Sequence, residues 1–291
     1  MTDAPSTTQL QEEQRQFWNG EMAQSWVVAQ DFIDSMLRPF ETLLVDEIST
    51  IKPKSVLDVG CGNGGTTLAI HTALGGDARC VGIDVSAPMI ANAKRRALAA
   101  TLQAEFVCAD ASDWAAAGAP FELIASRFGV MFFADAVAAF RRLRQNAAPN
   151  ADLALVVWRG PDENAFLTEA QRTAEPLLPP LPPRDPASPG PFALADPDHV
   201  RSVLVSSGWS DIECRPHDVP CAFPAADLDF FLRELVPLGC DVDAIDAERL
   251  AAIRRAIRDS YEQFIDQNLV RFTGHCWLIR ARADQSTSLG Q

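Results

Sequence analysis

Between Val56 and Gly65 an acid stands two residues ahead of a run of glycines: Val56-Leu57-Asp58-Val59-Gly60-Cys61-Gly62-Asn63-Gly64-Gly65. Apolar residues running into closely spaced glycines read as a buried parallel strand, a tight turn and a helix start. Glycine there lets backbone N–H groups approach a ligand closely. Twenty residues beyond Gly64, the apolar run Cys80-Val81-Gly82-Ile83 ends in Asp84. A carboxylate at the end of a second strand can accept the hydroxyls of a ribose. Turn and distant acid together imply an adenosine-type cofactor on a doubly wound α/β sheet.

Gly60, Gly62 and Gly65 formally satisfy G-x-G-x-x-G, the weak fingerprint of dinucleotide binding. Asp58 argues against that ligand, because a pyrophosphate calls for helix-terminal N–H groups and not a nearby carboxylate. An acid suits an ammonium or sulfonium, and S-adenosylmethionine carries both, with a ribose for Asp84. The block Leu57–Gly64 resembles motif I of the class I S-adenosylmethionine-dependent methyltransferases, and Val81–Ser86 resembles their second cofactor motif. Phe106–Ala111, Phe121–Phe128 and Ala151–Trp158 follow at the intervals of the family's third, fourth and fifth strands. Phe17-Trp18-Asn19-Gly20 and Arg127–Phe133 look like a bacterial small-molecule branch related to ubiquinone/menaquinone-type methyltransferases.

The resemblance implies a Rossmann-like, doubly wound, seven-stranded and mostly parallel sheet, with an antiparallel last strand and a helical cap. It implies Asp58 as the residue that orients the turn and favours the methionine ammonium, or that bonds the loop amides. Gly60, Cys61 and Gly62 would wrap the methionine portion. Asp84, followed by Val85, would hold the ribose, or else cap the next helix. Met89 would pack on adenine or in the core, and Asp110 and Ala111 would meet the adenine edge. Ser126 and Arg127 would lie beside the methionine end, with Trp26 covering the cofactor.

An acceptor should lie outside the carboxyl ends of the fourth and fifth strands, near Phe128, Met131, Phe132, Trp158 and Arg159. Arginines at adjacent strand ends could pair with an acceptor carboxylate or phenolate, or with the chain's own acids. The histidines are His71, His199, His217 and His275; none is placed as a general base, and His275 suits a buried, hydrogen-bonded role. No catalytic residue is assigned. The fourth strand ends in Ser126-Arg127, not in Asn/Asp-Pro-Pro-aromatic and not in an acid that could hold a divalent metal. The activity implied is metal-independent, in-line methyl transfer to O, N or C of a small, planar or apolar molecule. The alternatives are an NAD-dependent oxidoreductase and a non-methylating, S-adenosylmethionine-binding member of the fold.

Around these residues lies a chain of 291 residues, 47% hydrophobic and 22% charged, the composition of a soluble globular protein. A formal charge of −14 disfavours nucleic acid and anionic membranes. The seven cysteines, Cys61, Cys80, Cys108, Cys214, Cys221, Cys240 and Cys276, show no C-x-x-C spacing and read as reduced thiols. A polar start and no span-length apolar run point to the cytoplasm. A homodimer is left open.

Residues 1–50 read as an N-terminal helical lid whose first ten residues are disordered, and 51–160 as the cofactor-binding core. Residues 161–195, with prolines at 176, 179, 180, 182, 183, 186, 189 and 191, read as a loop without helix or strand. Residues 196–285 complete the core. Helices over 225–238 and 246–268 form an inserted cap at about 224–268, followed by a final strand over 271–282.

Overall fold

A computed structural model describes residues 6–178, 188–237 and 245–284. The prolines at 179, 180, 182, 183 and 186, and Cys240, lie outside the described residues. The strands are β1 (Ser55–Val59), β2 (Arg79–Asp84), β3 (Glu105–Cys108), β4 (Phe121–Arg127), β5 (Ala147–Trp158), β6 (Trp209–Pro224), β7 (Ile265–Asp266) and β8 (Leu269–Ala283). They form one sheet in the order β3-β2-β1-β4-β5-β8-β6, with β7 paired to β8 as a short hairpin. Neighbours from β3 to β5 are parallel. β8 enters antiparallel between β5 and β6. The seven-stranded, mostly parallel sheet with its antiparallel last strand is therefore as expected.

The parallel strands are continuous apolar runs because helices cover both faces. Leu123, Ile124 and Ala125 of β4, and Leu153 to Val157 of β5, are fully buried. Strand order reverses between β1 and β4, so their carboxyl ends open the crevice where such sheets bind ligands. Outer strand β6 carries Pro216, Pro220 and Pro224, which remove donors from an otherwise exposed edge.

The helices are α1 (Thr7–Phe17), α2 (Glu21–Val28), α3 (Gln30–Ile51), α4 (Gly65–Ala73), α5 (Ala87–Ala100), α6 (Ala136–Asn146), α7 (Ala165–Ala174), α8 (Pro197–Ser206), α9 (Leu228–Leu235) and α10 (Ala247–Ser260). α3 buries Ile33, Met36, Leu37, Phe40, Leu44 and Ile48, a helical stripe that packs over β5, β6 and α4. α9 packs on α2, and Phe32 of α3 meets Phe223, Phe230 and Phe231.

Three local expectations are corrected. Residues 6–10 are not disordered: Ser6 caps α1 in a reciprocal capping box with Gln9, which satisfies two orphan donors. The span 161–195 contains α7, because Ala165–Ala174 is free of proline and buries Phe166, Glu169, Ala170 and Ala174 on one face. The last helix does not run to Asn268. It stops at Ser260, passes through a 3-10 turn at Tyr261–Phe264 and enters the β7–β8 hairpin, whose turn puts Gln267 at φ 56°.

Candidate functional site

The crevice is built from backbone. Gly60 and Cys61 donate to Ile83 O at 2.8 and 3.1 Å, which turns the chain off β1 beside the end of β2. Gly60 has φ 67°, and a Cβ there would lie 2.5 Å from Gly129 Cα. A Cβ on Gly129 would lie 2.5 Å from Val59 O. The glycine turn and the exit of β4 thus cross at a distance only glycine permits.

Asp84 ends β2. Its Oδ2 accepts from Gly62 N and its Oδ1 from Ser86 N, both at 2.8 Å. Burial pushes its carboxyl up, opposed by these amides. A carboxylate offers about four lone-pair sites, so both oxygens keep capacity for ribose hydroxyls. Asp84 thus supports the start of α5 through Ser86 N, while the side-chain cap of that helix comes from Ser86. Met89 is buried against the turn, its Sδ 3.6 Å from a Cβ placed on Gly62.

Beside Asp84 opens a cleft of 410 Å³ lined by Val85, Cys108, Ala109 and Asp110, with Glu12, Arg15, Gln16 and Asn19 from the N-terminal helices. Asp110 Oδ1 takes both the N–H and the hydroxyl of Ser112, at 2.9 and 2.6 Å, and Ala111 beneath it is buried. The expected N-terminal lid supplies this side, through residues of α1 and Asn19 that carry no cofactor motif. Asn19 fastens it: Oδ1 accepts from Ala87 N at 3.0 Å, and Nδ2 donates to Val85 O at 3.1 Å. The Asn19-Gly20 pair that ends α1 was the available signal.

Asp58 is fully buried and accepts from Thr67 Oγ1 at 2.6 Å. Desolvation pushes it up to about 7 against the pull of Thr67 and Arg127. The hydroxyl of Thr67 thus takes the place expected for the loop amides. Ser126 is also buried: its hydroxyl donates to Val59 O at 2.7 Å and accepts from Gly129 N at 3.2 Å. It pins the crossing with both of these backbone contacts. Cys61 is buried, and burial raises its thiol far above the ordinary range, which keeps it protonated.

The aromatic candidates gather in two groups. Phe128 stacks on Trp158 with centroids 4.0 Å apart, and Phe40 meets both edge-on. Phe128 holds φ 65°, costly for a bulky residue and common at functional sites. Phe132 packs on Trp18, which packs on Trp26. Trp26 O also accepts from Asn63 Nδ2 at 2.9 Å. Met131 is buried and carries Gly190 on its carbonyl.

The two arginines separate. Arg159 pairs with Glu163 and with Asp218, so the chain's own acids consume it. Arg127 Nε donates to Thr66 Oγ1 at 2.8 Å, and burial lowers its guanidinium. His275 is a quarter exposed, not buried, and its Nδ1 lies 2.7 Å from Asp218 Oδ1; residues flanking it in strand pattern hid this hydrogen-bond partner 57 residues away. His71 is buried on Ala78 O. Among the described residues, no helix is long and apolar enough to cross a membrane.

A family model described as a methyltransferase domain matches residues 56–150. Over 216 residues the chain is 32% identical to the trans-aconitate 2-methyltransferase of Acidovorax ebreus (strain TPSY), covering 74% of this chain and 67% of that protein. Over 114 residues it is 33% identical to the demethylmenaquinone methyltransferase of Thermus thermophilus, covering 39% of this chain and 51% of that one. The solved magnesium protoporphyrin IX methyltransferase of Synechocystis PCC 6803, with bound SAH, superposes with a TM-score of 0.54 at 14% identity, over 94% of this chain and 100% of that one. At that identity the likeness is one of fold.

Proposed function

The chain belongs to the class I S-adenosylmethionine-dependent methyltransferases, and we propose that it methylates O, N or C of a small, planar or apolar molecule by in-line displacement. When bound, the cofactor supplies a methyl group electrophilic enough to need little further activation. The work left to this chain is to bind, to orient and to exclude water, and positioning of that kind is worth roughly 7–11 kcal/mol in favourable cases.

The observation that carries the reading is Asp84, whose carboxylate is fixed by Gly62 and Ser86 amides beside the 410 Å³ cleft. The acid fits the ribose, and Val85, Asp110 and the α1 side chains fit the adenine end. Phe128 and Phe132, with Trp18 packed on Phe132, offer the acceptor half-buried apolar faces past the end of β4, and Trp158 and Phe40 back Phe128 from the core. Trp26 and Met89 act as packing partners of the turn, Phe128 and Trp158 as the acceptor platform. The NAD-dependent alternative is not favoured. The acid excess of the chain supports a small-molecule enzyme without nucleic-acid or anionic-membrane partners, and the polar N-terminal residues support a cytoplasmic one. The prolines of β6 direct any homodimer to a face other than the sheet edge.

The test is calorimetric titration of S-adenosylhomocysteine into wild type and Asp84→Ala. Wild type should bind, and the variant should lose about ten- to hundredfold in affinity, the worth of a charge-assisted hydrogen-bond acceptor. A folded wild type that takes NAD and not S-adenosylhomocysteine would sink the reading. A wild type that binds the cofactor but turns over no acceptor from a broad panel would be the non-methylating alternative.

A further inference from the structure

The glycine turn can wrap the methionine portion with backbone and Asp84 can hold the ribose, but neither gives the α-amino acid head charged partners of its own. Asp58, to which the motif assigns the ammonium, commits Oδ2 to Thr67 and is sealed in the core. Other charged side chains reach the first turn of α4 from outside the motif. A Cβ placed on Gly65 would lie 2.8 Å from Asp34 Oδ1 and 3.5 Å from Glu41 Oε2. Both carboxylates of α3 therefore face the opening of α4. At the end of β4, Arg127 reaches the same turn through Thr66 Oγ1.

These charges are not equivalent. Asp34 is matched: its Oδ2 accepts from Arg96 at 2.5 Å and from Gln30 at 2.9 Å, and Arg96 also donates to Asn63 O at 2.6 Å. Glu41 and Arg127 are each the foremost charged influence on the other. Yet among the described residues neither forms an ion pair within 4.0 Å. Burial raises the Glu41 carboxyl and lowers the Arg127 guanidinium, so each charge stands on desolvated ground. An acid and a base that share such ground without closing on each other leave a place for a ligand that carries both charges. Arg is suited to the carboxylate half by its fork of donors.

We propose that Glu41 and Arg127 together hold the α-amino acid head of S-adenosylmethionine, Glu41 accepting from its ammonium and Arg127 donating to its carboxylate. The role that the motif gives to Asp58 passes to a residue of α3, and Asp58 becomes a support of α4 through Thr67. The inference rests on the cofactor assignment above.

The experiment compares S-adenosylhomocysteine, which has the amino acid head, with 5′-methylthioadenosine, which has the adenosine and thioether without it. Both are titrated into wild type, Glu41→Gln and Arg127→Gln. Each variant should bind S-adenosylhomocysteine about ten- to hundredfold more weakly, while 5′-methylthioadenosine affinity stays within about twofold. Unchanged S-adenosylhomocysteine affinity overturns the proposal, and so does an equal loss for both ligands in folded protein. Should the glutamine variants fail to fold, Arg127→Lys, which keeps the charge and loses the fork, is read by the same ratio. Wild type that binds neither ligand refutes the cofactor reading itself. Wild type that binds both with equal affinity refutes only the head assignment.

Discussion

The two halves of the sheet are held together by different means. From β3 to β4 the decisive contacts are backbone: Gly60 and Gly129 cross within a distance no side chain survives, and Asp84 is clasped by amides. From β5 to β6 and the cap, they are aromatic side chains. Phe166 of α7 stacks on Phe272 at 3.9 Å and on Phe231 at 5.3 Å, and meets Phe223, Tyr261 and Phe264 edge-on. Tyr261 adds a hydrogen bond from its hydroxyl to Phe166 O at 2.9 Å. The first half carries the proposed cofactor site, and its backbone geometry allows little variation. The second half is a packed side-chain mosaic that can change residue by residue around a changing acceptor.

If that contrast is right, the largest effect belongs to the crossing. Gly60→Ala puts a methyl against the backbone of Gly129 and demands φ 67° of alanine. It should cost about 4 kcal/mol or more, the range reserved for such defects, or yield no folded protein. A urea midpoint within about 1 kcal/mol of wild type would mean that the two chains can part, and the contrast would fail.

Next is Phe166→Ala, which empties the centre of the aromatic cap. A buried Phe→Ala change costs about 3–5 kcal/mol. In protein kept folded at low temperature, the affinity for 5′-methylthioadenosine should stay within about twofold of wild type. A parallel loss of nucleoside affinity would show that the halves are not separable.

The smallest effect sharpens the first half from within. Asp58 stands at about 7 when folded, above its ordinary 3.8, so the protonated form is the one the fold favours. Its contribution is fully present below pH 4 and is lost as pH rises through 7. The amide introduced by Asp58→Asn does not titrate and can still accept from Thr67. The melting temperature of Asp58→Asn relative to wild type should therefore climb steadily between pH 4 and 8, by on the order of 2–4 °C for each kcal/mol that wild type loses. A flat difference would mean that Asp58 stays ionised in the folded core.

Much of the first half was legible because its signals are local. Strands β1 and β2, the turn between Gly60 and Gly64 and the acid Asp84 all show in runs of under ten residues. The helix over Ala165–Ala174 was hidden by the prolines that flank it, although its own ten residues contain none. The true end of α10 was hidden because Tyr261–Asn268 continues an apolar spacing that the chain instead spends on a 3-10 turn and a hairpin. Glu41 carries no motif, and Asn19-Gly20 marks a turn without naming its partners. They matter only because they meet residues far along the chain, as Asn19 meets Ala87 68 positions away.

The sequence by itself determined the doubly wound sheet, the cofactor class and the acid that ends the second strand, since hydrophobic period, glycine spacing and strand-end position are properties of neighbouring residues. It could not decide between two arginines of equal promise, Arg127 and Arg159. The fold brings Asp218, 59 residues distant, to Arg159 and brings no carboxylate within ion-pair reach of Arg127 among the described residues. Ion pairing depends on distances across the tertiary structure, and so do burial and the charge that a buried group can keep.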